Sequence, residues 1–235
     1  MGIHEAQEAL FTVHFLGMTL AIIKPVLLMW FISAFIIVFF FLALKIKRAR
    51  TIVEMLIAFC QDQFLSSFPH YTRFWLVFFL SLFLFVATNN LVGSIPLLES
   101  PSGNLNFTAS LALGVFFLSV LIGIKIHGRK YLKQFVPNGV PKLLIPLMAP
   151  IEIVTYLFRP LSLALRLFAN MFAGHMIIVV FFTLLSMVPI FVGKFVPLVL
   201  IVGIKLFELF VCLIQAFIFT YLSASYISDA MKIEH

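Results

Sequence analysis

The sequence predicts an all-α polytopic membrane protein with about five membrane helices, one amphipathic surface helix, and two final helices that are long and strongly tilted. Of its 235 residues, 63% are hydrophobic and only 11% are charged, which is far from the balance of a soluble domain. Several uncharged runs exceed the roughly 20 apolar residues that a bilayer crossing needs. These runs are continuously apolar rather than alternating, which excludes a β-barrel. We therefore expect a single membrane domain over residues 1–235.

The first third of the chain predicts one span followed by a surface helix. Residues 1–24 form an N-terminal segment, and no short apolar run with a cleavage site marks a removable signal peptide. The first span is residues 25–44. Residues 51–67 predict an amphipathic helix on the inner membrane surface, and an ordinary packed helix is the alternative. Its apolar stripe is Ile52, Leu56, Phe59 and Phe64, with Glu54, Gln61 and Asp62 facing away.

The remaining spans are a helical hairpin, 74–95 and 107–124, and two longer helices, 146–185 and 196–228. A helix of about 40 residues is about 60 Å long at 1.5 Å per residue. The hydrocarbon core is only about 30 Å thick. The long helices must therefore tilt steeply or bend, and prolines inside the first of them permit bends.

The net charge of +7 is concentrated in two basic clusters that each follow a span. These are Lys45, Lys47, Arg48 and Arg50, and then Lys125, Arg129, Lys130 and Lys133. Basic loops of this kind stay on the inner side of a membrane. Five crossings then place the N-terminus outside and the C-terminus inside. Short basic patches between spans of this length argue against nucleic-acid binding.

The candidate functional residue is Arg166, a permanent charge inside an apolar segment. Such a placement costs roughly 3 kcal/mol on insertion scales, so it indicates a function by default. Glu152, Arg159 and Arg166 are spaced by seven and form one stripe. Around Arg166 this face is small or polar, which lets another helix approach closely. Its members are Ser162, Ala169, Asn170 and Ala173. The alternative is a structural charge paired to Glu152 or Glu208.

Two further titratable groups lie in the last two long helices. His175 and Glu208 can exchange protons near neutral pH, which suits a proton path. Glu208 and Gln215 are seven apart and share a face. Two structural alternatives remain: His175 packs as a core residue, or Lys205 pairs with Glu208 at i−3.

No motif indicates covalent catalysis, a phosphate-binding loop or a metal-dependent hydrolase. Cys60 and Cys212 are far apart and indicate neither a disulfide framework nor a metal site. We expect no cofactor, no metal and no catalytic chemistry in this chain itself. Any coupling to nucleotide chemistry would come from partner subunits.

One family resembles this chain over most of its length from about residue 50. The segment Arg159-Pro-Leu-Ser-Leu-Ala-Leu-Arg-Leu-Phe-Ala-Asn-Met-Phe-Ala-Gly-His175 resembles the signature of subunit a of the F-type ATP synthase membrane sector. Further matches are Asn89–Pro96, Lys125–Gly128 and Phe207–Thr220.

The resemblance implies that Arg166 is the stator arginine facing the carboxylates of a ring of c subunits. It implies that Asn90, His175 and Glu208 line an outer proton half-channel, and that Glu152 lines the inner one. Gln215 would lie beside Arg166 on the partner helix, with Asn170, Arg159 and Ser162 in support. His175 together with Glu208 is similar to the mitochondrial and alphaproteobacterial pattern.

The resemblance further implies a mechanism, partners and a location. Each rotor carboxylate would be protonated in lipid and ionised near Arg166, so proton flow between the two half-channels would turn the ring and support ATP synthesis. The partners would be the c ring, b-type peripheral stalk subunits, other F0 subunits and lipid. The location would be a mitochondrial inner membrane or a bacterial plasma membrane. The competing hypotheses are a secondary transporter whose arginine binds an anionic solute and a structural membrane scaffold.

Overall fold

The computed structural model describes residues 11–15, 18–22, 24–43, 45–66, 68, 72–95, 101–128, 131, 144–187 and 195–232. Within them lie six α-helices: α1 Lys24–Ala43, α2 Lys47–Cys60, α3 Arg73–Gly93, α4 Leu105–His127, α5 Ile145–Met187 and α6 Phe195–Met231. All except α2 are long and apolar enough to cross a membrane, which confirms the prediction of five membrane helices. Residues 1–10 lie outside the described residues, as do Arg129, Lys130 and Lys133 of the second basic cluster.

A β-hairpin precedes α1, and the sequence analysis did not predict it. Strand β1, Phe11–Phe15, pairs antiparallel with β2, Met18–Ile22, in a register that sets Phe15 opposite Met18. The sequence of β1 alternates in polarity, as that of a half-buried strand does. A lone two-stranded hairpin is marginal in water. It is therefore an addition to the helical membrane fold rather than a second domain.

The surface helix α2 packs against the bundle over its C-terminal part. It continues into a π-helical turn at Gln61–Leu65. Cys60 and Phe64 are buried against Phe79 of α3 and Ile227 of α6. Val53 is 3% exposed, whereas the neighbouring Ile52, from the predicted apolar stripe, is 55% exposed. The side of α2 that packs on the bundle therefore passes through Val53, Cys60 and Phe64, which are spaced by seven and four as on one side of a helix. That the stripe faces the membrane surface stays a prediction.

The core of the bundle joins α3, α4, α5 and α6. Its members are Leu82, Val86, Ala87, Ala112, Val115, Leu163, Ala164, Leu167, Ala216 and Phe219. Four of these ten residues are alanines, one on each helix. Lipid provides no hydrophobic drive between helices, so close van der Waals packing through small residues must hold them together. This core fixes the position of α5 against α6, and these two helices carry the candidate site.

Helix α5 is continuous over 43 residues with Pro150 and Pro160 inside it. At 1.5 Å per residue it is about 65 Å long, roughly twice the hydrocarbon thickness. Helix α6 has 37 residues. These lengths require a steep inclination to the membrane normal. In its middle, α5 buries one side (Pro160, Leu163, Ala164, Leu167, Met171, Gly174) and exposes the other (Ser162, Leu165, Arg166, Ala169, Phe172, Ala173).

Candidate functional site

Arg166 lies on the exposed side of α5, where it has no partner within the described part of the chain. The ion pairs there join Arg50 to Glu54, Arg159 to Asp229 and Lys205 to Glu208, and Arg166 belongs to none of them. The structural alternative in which Arg166 pairs with Glu152 or Glu208 is therefore not what the structure contains. Arg166 is instead exposed, and the small residues Ser162 and Ala169, four before and three after it, are exposed on the same side of α5.

Arg159 has the opposite surroundings, although it lies two turns away on the same stripe. Its guanidinium carbon lies 5.3 Å from the ring centroids of both Tyr156 and Tyr226. Its Nη1 is 3.8 Å from Oδ2 of Asp229 near the end of α6. Tyr156 is itself hydrogen-bonded to Tyr131, with 2.6 Å between the hydroxyl oxygens. Arg159 is thus held by this chain alone.

Glu208 is a buried carboxylate with two unlike oxygens. The residue is 8% exposed. Its Oε2 accepts a hydrogen bond from the Lys205 ammonium at 2.9 Å, which is the i−3 pair considered from the sequence. The same ammonium donates to the backbone carbonyl of Ser94 at the end of α3. The other oxygen, Oε1, is buried without a hydrogen-bond partner.

Gly174 on α5 makes room for the Glu208 carboxyl. A Cβ atom at residue 174 would lie 2.8 Å from Glu208 Oε1 and 2.9 Å from its carboxyl carbon. A Cβ atom at that distance would require the Glu208 carboxyl to shift. His175 follows Gly174 directly and is half-buried. The structure therefore brings the α5 turn that carries His175 against the carboxylate of Glu208.

Asn90 connects α3 to the same part of α6. Its Nδ2 donates to the backbone oxygen of Cys212 at 3.3 Å. The Cys212 thiol lies 3.3 Å from the Ser94 hydroxyl and 3.8 Å from the sulfur of Met171 on α5. Met171 opposite Cys212, and Gly174 opposite Glu208, show that α5 and α6 run antiparallel. Asn90 thus contacts α6 one turn beyond Glu208, and its place in a half-channel stays a prediction.

Gln215 lies farther along α6 on the face that carries Glu208. It is 5% exposed, and its Nε2 has no hydrogen-bond partner. The antiparallel register places Gln215 within about one turn of Arg166, without a hydrogen bond between them. Asn170, one turn beyond Arg166, also has a buried Nδ2 without a partner. Two buried amide groups, one on α5 and one on α6, therefore retain unused hydrogen-bonding capacity.

Glu152 lies toward the other end of α5, half-buried. It is 14 residues before Arg166, about 21 Å along the helix axis at 1.5 Å per residue. His175 is nine residues after Arg166, about 14 Å in the opposite direction. The structure thus separates the acidic residue Glu152 from the His175–Glu208 region and leaves Arg166 between them.

Sequence reasoning missed three residues of this site. Ser94, Gly174 and Cys212 shape the surroundings of Glu208, yet none of them was predicted to. Ser94 lies inside the Asn89–Pro96 segment and Gly174 inside the segment ending at His175, so both were present in the quoted matches. The contact between them depends on the register of α3, α5 and α6, which local spacing does not contain.

Fold and site together define a multi-pass membrane protein built around an intramembrane arginine and buried polar side chains. The family model for the ATP synthase A chain matches residues 26–228. ATP synthase subunit a of Rhodospirillum rubrum is 35% identical over 185 residues, covering 79% of this chain and 76% of that protein. The Nitrobacter winogradskyi protein of the same name is 37% identical over 194 residues, covering 80% and 78%. That of Magnetococcus marinus is 46% identical over 153 residues, covering 65% and 59%. The chain belongs to the ATP synthase subunit a family.

Proposed function

We propose that this chain is the stator subunit that carries protons to and from a rotating ring of c subunits in an F-type ATP synthase. Its family membership supports a role in the F0 proton channel, in a complex with other F0 subunits. The finer assignments that follow, residue by residue, are our proposal. Among these partners we include a c ring, b-type peripheral stalk subunits and surrounding lipid.

The observation that carries the proposal is a set of buried polar groups without partners on α3, α5 and α6, together with an exposed arginine that pairs with no described residue. The side-chain oxygen of Asn90, Glu208 Oε1 and the side-chain nitrogens of Gln215 and Asn170 are all buried without partners. Native proteins leave few such atoms, and polar sites with room are commonly filled by water. We propose that, in the assembled complex, water and protons occupy the space beside these buried polar groups.

Arg166 would act on the rotor because the described part of this chain offers it no counter-ion. An unpaired cation in a membrane is expensive, and the expense falls when a carboxylate on another subunit approaches. A c-ring carboxylate surrounded by lipid favours its protonated form, and beside Arg166 the ionised form is favoured. The small side chains of Ser162, Ala169 and Ala173 would let a rotor helix come close.

The two half-channels would be offset along α5. Asn90, His175 and Glu208 would line the outer one and Glu152 the inner one, on opposite sides of Arg166. A proton could not pass between them directly, because the fixed cation would repel it. It would have to travel on the ring, and each charge that crosses the potential contributes about 2.3 kcal/mol per 100 mV.

The relatives are mostly alphaproteobacterial, so we propose a bacterial plasma membrane as the location of this multi-pass protein. The mitochondrial inner membrane implied by the residue pattern remains the other expectation. The chain would contribute no catalytic group to ATP formation.

The test is proton-driven ATP synthesis in membrane vesicles that carry Arg166→Ala. We expect synthesis to fall by at least about 100-fold, the loss typical of removing a preorganised charge. A native gel must show a fully assembled complex, and ATP hydrolysis by the peripheral sector must persist. Normal synthesis in an assembled complex would overturn the proposal.

A further inference from the structure

The ammonium of Lys205 occupies a position that resembles a small cation site. It lies 2.9 Å from Glu208 Oε2 and donates to the carbonyl oxygen of Ser94. A carboxylate oxygen and a backbone carbonyl oxygen are the ligands that hard cations prefer. Both oxygens are therefore already held by a cation that is covalently attached to the chain.

The residues around this ammonium are buried and are held by contacts between helices. Ser94 is 3% exposed and Glu208 is 8% exposed. The Ser94 hydroxyl lies 3.3 Å from the Cys212 thiol, which fixes the end of α3 against α6. On the opposite side, the close approach of Gly174 limits movement of the carboxyl. Without the ammonium, this pocket would hold a buried anion with no counter-charge, an unfavourable arrangement.

From this geometry we infer that Lys205 makes the outer half-channel selective for protons over sodium ions. The inference rests on the proposed function, since it concerns the same Glu208. A proton can bind at Glu208 Oε1, which has no hydrogen-bond partner, without displacing Lys205. A sodium ion needs several oxygens at once, and the ammonium already holds Oε2 and the Ser94 carbonyl. It also repels a second cation at short range.

The test compares Lys205→Met with Lys205→Arg in vesicles whose F0 complexes are stripped of the peripheral sector. Proton conduction is measured with and without Na⁺, with choline keeping the ionic strength constant so that screening does not change. We expect the proton conduction of wild type to be the same with and without Na⁺, and the same to hold for Lys205→Arg. Lys205→Met should be slowed severalfold by Na⁺, because the ion then enters the vacated site.

A second measurement covers the case in which Lys205→Met conducts too poorly to compare. Equilibrium binding of radioactive Na⁺ to the purified F0 complex should show an additional bound ion in Lys205→Met, and none in Lys205→Arg, relative to wild type. If Lys205 only stabilised the structure, Lys205→Met would lower proton conduction equally with and without Na⁺. Conduction that is indifferent to Na⁺ in Lys205→Met, or binding equal to wild type, overturns the inference.

Failure of this inference is distinguishable from failure of the proposed function. If Glu208→Gln conducts protons as fast as wild type, Glu208 is not in the proton path and the proposed function fails. If Glu208→Gln blocks conduction while Lys205→Met stays indifferent to Na⁺, only the role of Lys205 is refuted.

Discussion

Arg159 and Arg166 are two arginines on one helix, seven residues apart, with opposite surroundings. Arg159 lies between two tyrosine rings and near Asp229, so its charge is satisfied by α5 and α6 themselves. Arg166 is exposed among small side chains and takes part in none of the ion pairs of the described residues. The same residue type is thus paired within the fold at one position and unpaired among the described residues at the other, which is the position where we propose an external partner.

Energetics supports this division. An exposed ion pair contributes about 0–1 kcal/mol, and a cation over an aromatic ring about 0.5–1 kcal/mol. Arg159 makes several of these weak interactions, and they stabilise the packing of α5 against α6. Arg166 makes none of these interactions with the described residues, while it still bears the cost of an intramembrane charge. In our proposal, the assembled complex supplies its counter-charge.

The largest expected effect separates the two arginines by function. In the vesicle assay where Arg166→Ala loses synthesis, we expect Arg159→Ala to retain most of it, because no proton-carrying group depends on Arg159 in our account. Equal losses in two assembled complexes would show that the comparison is wrong.

Filling the small face beside Arg166 should have the next largest effect. We expect Ala169→Trp to lower ATP synthesis severalfold, since the indole would occupy the space proposed for a rotor helix. Leu157→Trp serves as the control, because Leu157 is 56% exposed on α5 but lies nine residues from Arg166. Unchanged synthesis in Ala169→Trp would mean that no partner approaches this face.

Narrowing the space at Glu208 should slow proton conduction. Gly174→Ala would place a Cβ atom 2.8 Å from Oε1 and force the carboxyl to move. A displacement of about 1 Å in a reacting group can cost up to about 100-fold, and we expect about tenfold here. Gly203→Ala is the matched control, because a Cβ there meets nothing within 4 Å. Similar conduction by both variants would remove Glu208 from the path.

The smallest expected effect concerns the stability that Arg159 provides. Asp229→Asn should destabilise the chain by about 1 kcal/mol or less, because the pair is long and Asp229 is more than half exposed. The midpoint of thermal unfolding of the purified complex measures this. Asp62→Asn, at an exposed position on the π-helical turn, should leave the midpoint unchanged. A loss of synthesis in Asp229→Asn would argue that Arg159 also has a functional role.

The parts of the fold that could be predicted from the sequence were those that depend on the spacing of nearby residues. Long, mostly apolar runs predicted the five membrane helices, and an i−3 spacing allowed the Lys205–Glu208 pair. The partners of Arg159 were not predictable, since Tyr226 and Asp229 lie on another helix at a register that sequence does not reveal. The hairpin at 11–22 was missed although the alternation of polarity in Phe11–Phe15 was visible.

In the candidate site, too, local features could be predicted from the sequence and contacts between helices could not. Arg166 stands out in sequence because a charge in an apolar run needs an explanation. The approach of Gly174 to Glu208 and of Asn90 to Cys212 requires the packing of three helices. The interaction of Arg166 with a rotor is a property of the complex, so it stays a prediction.

Site-directed cross-linking tests most directly whether the partner of Arg166 lies on the ring. A cysteine is introduced by Ala169→Cys, and a second one beside the carboxylate of the c subunit, followed by oxidation. The buried Ala164→Cys on the opposite side of α5 is the control. Few disulfides should form through the two cysteines that the chain already has. Burial raises the pKa of the Cys60 thiol to about 11, and Cys212 is also buried.

Our account predicts a disulfide between Ala169→Cys and the c subunit, and none with Ala164→Cys. It further predicts that the bond stops ATP-driven rotation until it is reduced. If Ala169→Cys forms no bond to the ring in an assembled, active complex, then the exposed face of α5 does not meet the rotor, and Arg166 cannot be its counter-charge.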